Sequence, residues 1–451
     1  MSSKTSQKGK KTSGFGFDDE EEDDNKYTPV GVESNKRNDD SEKNNKSNIF
    51  IFNLNELICI TNIFATALGL GVLTFPYILY EIGVINSLFI FIFVSISIYY
   101  SLDLLRRFVV DSSLFSYSII TQATLGNRWL IIYAIATIIF FSSGLVNYLK
   151  IVYNIFNSMI IIENILPKIF YLIISLLIQI ILCKLTVNVS KIFVFSIIIF
   201  SASIIIICIV IVKGIINLSK GKDNYFSVFS IRDSNLNSWD IFLLINSKFI
   251  EFFYGYIYHN TFPTLLSDLT NLDNKNTKRI HNTSYSIIFI YYSIFSFFGL
   301  FCIGDYDEKS NPLILIENEL PDTFAFFVKI IFFLYFISLI PIRYIVIRDN
   351  YTSIIGKENI SVTMEIIITS AFLLIINIIV VFVILYDHLI SDIIILFGAF
   401  FGVFICFVLP VLNYVAINGK TKGKSIIGYM ITVIFIIIGF FSIFHNVKKK
   451  L

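Results

Sequence analysis

Three observations predict an all-α polytopic membrane protein of about 11 transmembrane helices, organised as inverted five-helix repeats with broken helices 1 and 6. Of the 451 residues, 55% are hydrophobic and only 15% charged, and the mean hydropathy is +0.76; a soluble domain does not carry that balance. The apolar residues gather into runs near the ~20 residues that cross a bilayer at about 1.5 Å per residue. Two of those runs, the first and the sixth, carry glycine and proline at mid-span, where a crossing helix most needs its hydrogen bonds.

Residues 1–48 are mostly Lys, Asp, Glu, Asn, Ser and Gly, with an acidic run from Asp18 to Asp24. Such a segment cannot bury a core and is expected to be a disordered cytosolic tail. It has no apolar stretch of its own, so the first span serves as the membrane signal. A transmembrane domain is expected over 49–446, followed by a short basic tail at 447–451. Its spans read 57–80, 85–108, 129–156, 169–185, 192–212, 241–266, 283–303, 324–347, 364–386, 393–417 and 426–444.

Lys and Arg near the span ends set orientation. Arg106, Arg107 and Arg128 read as one loop, and Lys184, Lys191, Lys275, Lys278, Arg279, Arg343, Arg348, Lys357, Lys420, Lys422 and Lys424 fall at later loops of the same, cytosolic side. Asp305, Asp307, Glu308, Glu317, Glu319 and Asp322 gather on the opposite side. Lys213, Lys220, Lys222, Arg232 and the terminal Lys448 to Lys450 run against this scheme. The net charge of +2 gives no support to a nucleic-acid partner. Cys59, Cys183, Cys208, Cys302 and Cys406 form no CxxC pair and no cluster with histidine, so they are read as packing residues rather than as a disulfide framework or metal site. No cofactor is implied. A GxxxxGK[ST] loop is absent from the sequence, which removes support for an ATP-driven pump.

The first span contains ITNIFATALGLGVLTFPYILYEIG, in which Gly69 and Gly71 flank Leu70 and Pro76 follows. Backbone freed in lipid must face protein or a water-filled cavity, and such a break offers a polar solute a seat. Close helix packing at the glycines and a simple proline kink explain the same residues equally well. In the sixth span, Gly255 and Pro263 bracket Tyr256, His259 and Asn260, with Glu251 further back. Glu251 and His259 are candidates for coupling to protons, since ionisable groups at membrane depth are costly and histidine titrates near neutrality. The competing readings are an ion pair of Glu251 with Lys248, three residues earlier on the same helical face, and a hydrogen-bonded structural histidine. Where interrupted spans five apart meet at the midplane of inverted repeats, half-helix N-termini attract a carboxylate and unwound carbonyls accept from an ammonium. An amino acid carries both groups.

At this point four motifs in chain order resemble the amino acid/auxin permease family, the sixth-helix one especially its vacuolar branch. NIFATALGLGVLTFPYILYEIG from Asn62 to Gly83 is similar to the family's first-helix signature, and HNTFP from His259 to Pro263 to its sixth-helix pattern. Ile340, Pro341, Ile342 and Arg343 resemble its Phe-Pro-x-Arg stretch; Gly398, Ala399, Leu409, Pro410, Asn413 and Tyr414 resemble its tenth helix. The resemblance implies eleven helices and a secondary transporter of amino acids. It places the substrate carboxylate at the amides of Gly69, Leu70 and Gly71, and the ammonium at carbonyls near Thr66 and along Tyr254, Gly255 and Tyr256. Ser142, Ser143 and Asn147 would line the pocket; interhelical hydrogen bonding explains them as well. Ala65 stands where sodium-coupled members have Asn, and the apolar run from Ile331 to Leu334 replaces a hydroxyl, so proton coupling or uncoupled transport is expected instead. An amino-acid-sensing membrane receptor is the alternative of another class. A membrane enzyme is disfavoured, because no paired histidine and acid stands ready to activate water. The vacuolar likeness points to an internal acidic compartment, with the plasma membrane as the alternative.

Overall fold

The first membrane helix begins on a capping box: Asn53 Oδ1 accepts from the Glu56 amide at 2.9 Å, and Glu56 Oε2 accepts from the Asn53 amide at 3.0 Å. In the computed structural model the described residues are 52–448 apart from 70, 160–164, 186–191, 221–230, 232–235, 303–321, 357–360, 386–399 and 419–422. The N-terminal tail, Leu70, the acidic stretch from Asp305 to Glu319, and Gly398 with Ala399 therefore lie outside the described residues.

Helix α1 (Leu54–Ala67) stops at Leu68, whose backbone is extended at φ −64°, ψ 114°. Helix α2 (Gly71–Ile82) resumes the crossing and contains Pro76. Gly83, at φ 83°, makes the turn into α3 (Val84–Ser112), a conformation that a side chain would strain. There follow α4 (Tyr117–Leu125), α5 (Asn127–Met159), α6 (Ile165–Leu185) and α7 (Ile192–Ser219). The sixth crossing is α8 (Ser238–Tyr254), an irregular stretch, and the short α9 (Phe262–Leu266), opened by Pro263. Then come α10 (Asn274–Cys302), α11 (Asp322–Ile355), α12 (Val362–Leu385), α13 (Phe400–Ile417) and α14 (Gly423–Lys448).

Among the described residues, eight helices are long and apolar enough to cross a bilayer. The two interrupted crossings and α6 complete the expected set. The chain is thus an all-α polytopic membrane protein with its first and sixth spans broken. The third members of the two repeats, α5 and α11, pack on each other more extensively than any other pair among the described elements. Without a hydrophobic drive between helices in lipid, such association rests on close packing and hydrogen bonds. Gly299 of α10 lies under Pro76, where a Cβ would fall 2.5 Å from the proline Cγ, and Gly214 of α7 lies under Phe298, 2.8 Å from its carbonyl oxygen.

The helices overrun the sequence-read spans. Arg106 and Arg107 stand inside α3 rather than in a loop, and Lys213 inside α7. Arg106 is fully buried: it pairs with Asp103 at 2.8 Å and donates to Asn274 Oδ1 at 2.7 Å. A polar network of this kind lets an apolar run continue past a charge. The short helix α4 was not expected. In α13 a π turn over Phe404–Val408 releases carbonyls, which Tyr117 (2.8 Å, to Ile405) and Ser101 (to Cys406) satisfy.

Candidate functional site

Two breaks meet in the interior. Helix α1 ends on Thr66 and Ala67, whose carbonyls lose their intrahelical donors because the chain turns extended at Leu68. Across from them, α8 ends at Tyr254 and the chain runs irregularly through Gly255 to Thr261. Two side chains from the second repeat bind both breaks at once. The Tyr292 hydroxyl of α10 lies 2.8 Å from the Ala67 carbonyl oxygen and 2.7 Å from that of Gly255. A phenol has one proton, so it donates to one of these carbonyls at a time. Arg343 of α11 donates from Nη2 to the Thr66 carbonyl and from Nη1 to the Ile257 carbonyl, both at 3.4 Å.

Arg343 also faces a cavity between the breaks, lined by Gly69, Phe141, Gly144, Tyr148, Tyr254 and Ile257 among others. Its guanidinium carbon sits 5.3 Å from the ring centre of Phe141 and 5.8 Å from that of Tyr148, a cation–π arrangement. Gly69 is what lets the guanidinium approach: a Cβ there would lie 3.2 Å from Arg343 Nη2 and 3.2 Å from the Tyr148 hydroxyl. A second, more polar cavity is lined by Thr66, Tyr133, Asn260, Thr264, Asp349 and Asn350 among others.

The sequence-read residues separate on this frame. Gly69 and Tyr254 line the first cavity. Ser143 and Asn147 interact with the Tyr254 hydroxyl, and Ser143 also donates to the Phe140 carbonyl at 2.7 Å. Ser142 stands half-buried on the same helix. Gly71 opens α2, and Leu70 lies outside the described residues. Thr66 lines the second cavity, with its hydroxyl donating to the Ile63 carbonyl at 3.0 Å. Gly255 contributes its carbonyl to Tyr292. Tyr256 is fully buried, accepts from Ser95 at 3.0 Å and packs edge-on against Tyr292, with ring centres 4.8 Å apart.

Of the two coupling candidates, Glu251 pairs with Lys248 at 2.8 Å, and Lys248 reaches Glu81 at the end of α2 at 2.6 Å. This ties the closing end of the first span to the opening half of the sixth. At the opposite end of the first span, Glu56 pairs with Arg279 of α10 at 2.8 Å. His259 is fully buried in the irregular stretch, and neither ring nitrogen has a hydrogen-bond partner among the described residues.

Arg343, Tyr292, Phe141 and Tyr148 are the residues that sequence reasoning missed as site components. An apolar run that closes at 347 sets Arg343 among the charges at a span end. Helix α11 continues to Ile355, which places the arginine in the interior at 9% exposure. An arginine inside an apolar run was itself the available signal.

Residues 57–449 match the family described as transmembrane amino acid transporter protein, and the chain belongs to that family. No curated protein matches the sequence. Among solved structures, the chain is similar in fold to a substrate-bound, outward-open Na+-coupled sialic acid symporter, with a TM-score of 0.56 and 14% identity over 84% of this chain and 88% of that one.

Proposed function

We propose that this member of the transmembrane amino acid transporter family is a secondary transporter that moves amino acids by alternating access, with the two broken spans moving around a central site. The observation that carries the reading is the meeting of the breaks: peptide carbonyls of Thr66, Ala67, Gly255 and Ile257 converge with one guanidinium and one hydroxyl beside a cavity. Together the two breaks offer a zwitterion both signs of partner. The amides of Gly69 and Gly71, at the positive end of α2, and the neighbouring guanidinium suit a carboxylate. The carbonyls of Ala67 and Gly255, which share a single phenolic proton, suit an ammonium. Tyr254 borders the cavity from α8, and Ser143 and Asn147 of α5 hold its hydroxyl.

Transport is proton-coupled or uncoupled rather than sodium-coupled. Sodium seeks hard oxygen ligands. Ala65 offers none, and the Thr66 carbonyl already receives a donor from Arg343. His259, buried with two unsatisfied nitrogens, is the stronger proton candidate; Glu251 is engaged in its ion pair. The protein resides in an internal acidic compartment or the plasma membrane.

The test is uptake of a panel of amino acids by proteoliposomes, with proton and sodium gradients imposed separately. Saturable accumulation that ignores sodium is expected. Saturable binding without accumulation would instead make the protein an amino-acid-sensing receptor.

A further inference from the structure

The structure holds a buried cation whose charge no side chain answers among the described residues. Arg106, Lys248 and Arg348 are all buried, and each has a carboxylate: Asp103 for the first, Glu81 and Glu251 for the second, Asp349 for the third. Arg343 is as buried as Arg348 and has no ion pair among the described residues. Two long hydrogen bonds to carbonyls occupy its Nη groups, and its Nε finds no acceptor. A guanidinium cannot shed its proton to escape this position. Burying a charge without a counter-charge is strongly unfavourable, so a site of this kind is incomplete without an anion.

We propose that Arg343 is the carboxylate receptor of the transport site, which accepts neutral amino acids with apolar side chains. The proposal rests on the transport reading above. Arg343 faces the cavity, Gly69 gives way to it, and the planar fork of a guanidinium fits a carboxylate through two parallel hydrogen bonds. Among the described residues, the remaining walls, including Phe140, Phe141, Ile257 and Tyr254, carry no acidic group for a basic side chain. Arg343 therefore selects for the free carboxylate, and the walls select against a second charge.

The experiment reads ligand-induced thermal stabilisation of the purified full-length protein in detergent. The probes are L-leucine, L-phenylalanine, their methyl esters, 3-phenylpropionate and L-lysine. The free neutral amino acids are expected to stabilise the wild type, and 3-phenylpropionate to do so more weakly. The esters, which keep the amine but lose the anion, and L-lysine are expected to do nothing at the same concentrations. Arg343→Gln should raise the concentration of L-leucine or L-phenylalanine needed by about tenfold or more, while Arg343→Lys, a point charge without the fork, falls between. Arg348→Gln serves as the control and should leave the response unchanged. Esters or L-lysine that match the free neutral amino acids on the wild type, an Arg343→Gln variant that responds like the wild type, or a wild type indifferent to both amino acids would each overturn the proposal. The ester comparison needs no variant to fold. Binding rather than flux is read, so carboxylate-dependent binding without vesicle uptake would defeat the transport reading and leave this assignment standing.

Discussion

Lys248 and Arg343 are both buried cations on broken or bordering spans, and they are held in opposite ways. Lys248 lies between two carboxylates, Glu81 at 2.6 Å and Glu251 at 2.8 Å, and fastens one end of the first span to the first half of the sixth. Arg343 lies between two carbonyls at 3.4 Å and two aromatic rings, with no carboxylate among the described residues. The first arrangement answers its cation within the protein and serves the fold. The second is incomplete beside a cavity, and incompleteness is what a binding site needs, because only an unmet group gains from a ligand.

Substitutions can break this contrast or sharpen it. The largest effect is expected from Gly69→Leu, which drives a side chain into the space now shared by Arg343 and Tyr148. Uptake should fall by roughly 100-fold or more with membrane insertion intact, measured as transport per inserted protein. Gly71→Leu, at the first residue of α2, should act in the same direction.

Next comes a change of sign between the two cations. Lys248→Met leaves Glu81 and Glu251 facing each other, and as both carboxylates retain some solvent, destabilisation of about 1–3 kcal/mol is expected. Arg343→Met removes a charge that lacks a carboxylate, so the ligand-free protein should melt no lower than the wild type. Thermal melts of the two variants side by side read this directly. Equal losses in both would erase the contrast.

A smaller effect is expected from Tyr292→Phe. It deletes the hydroxyl that serves the Ala67 and Gly255 carbonyls, for a loss of about 1–2 kcal/mol in the same melt. The smallest is expected from Arg279→Gln, since its pair with Glu56 is 35% exposed on the arginine side and such pairs contribute under about 1 kcal/mol.

How much of this was legible in the sequence follows from the range of each interaction. The interruptions were readable because glycine and proline act on their own backbone: Gly69, Gly71, Gly255 and Pro263 mark both breaks within a few residues. The Lys248–Glu251 pair was readable as one of two alternatives, because three residues is a helical neighbour distance. Glu81 as its second partner was not, since it comes from a different span. The same limit hid Arg343 and Tyr292. Each acts on carbonyls from distant parts of the chain, and no periodicity announces a side chain that crosses from one repeat to the other. Charge rules also mislead, because they assign arginines to span ends; Arg106 and Arg343 show that a buried, hydrogen-bonded arginine sits within a helix.

The claim on which the rest depends is that the cavity beside the two breaks is visited from both sides of the membrane in turn. Counterflow tests it most directly: purified protein in vesicles preloaded with unlabelled L-leucine or L-phenylalanine, with no ion gradient, is diluted into a trace of the labelled form. Alternating access predicts a transient overshoot of label inside the vesicles, absent in Gly69→Leu. Saturable binding of the label with no overshoot would contradict it.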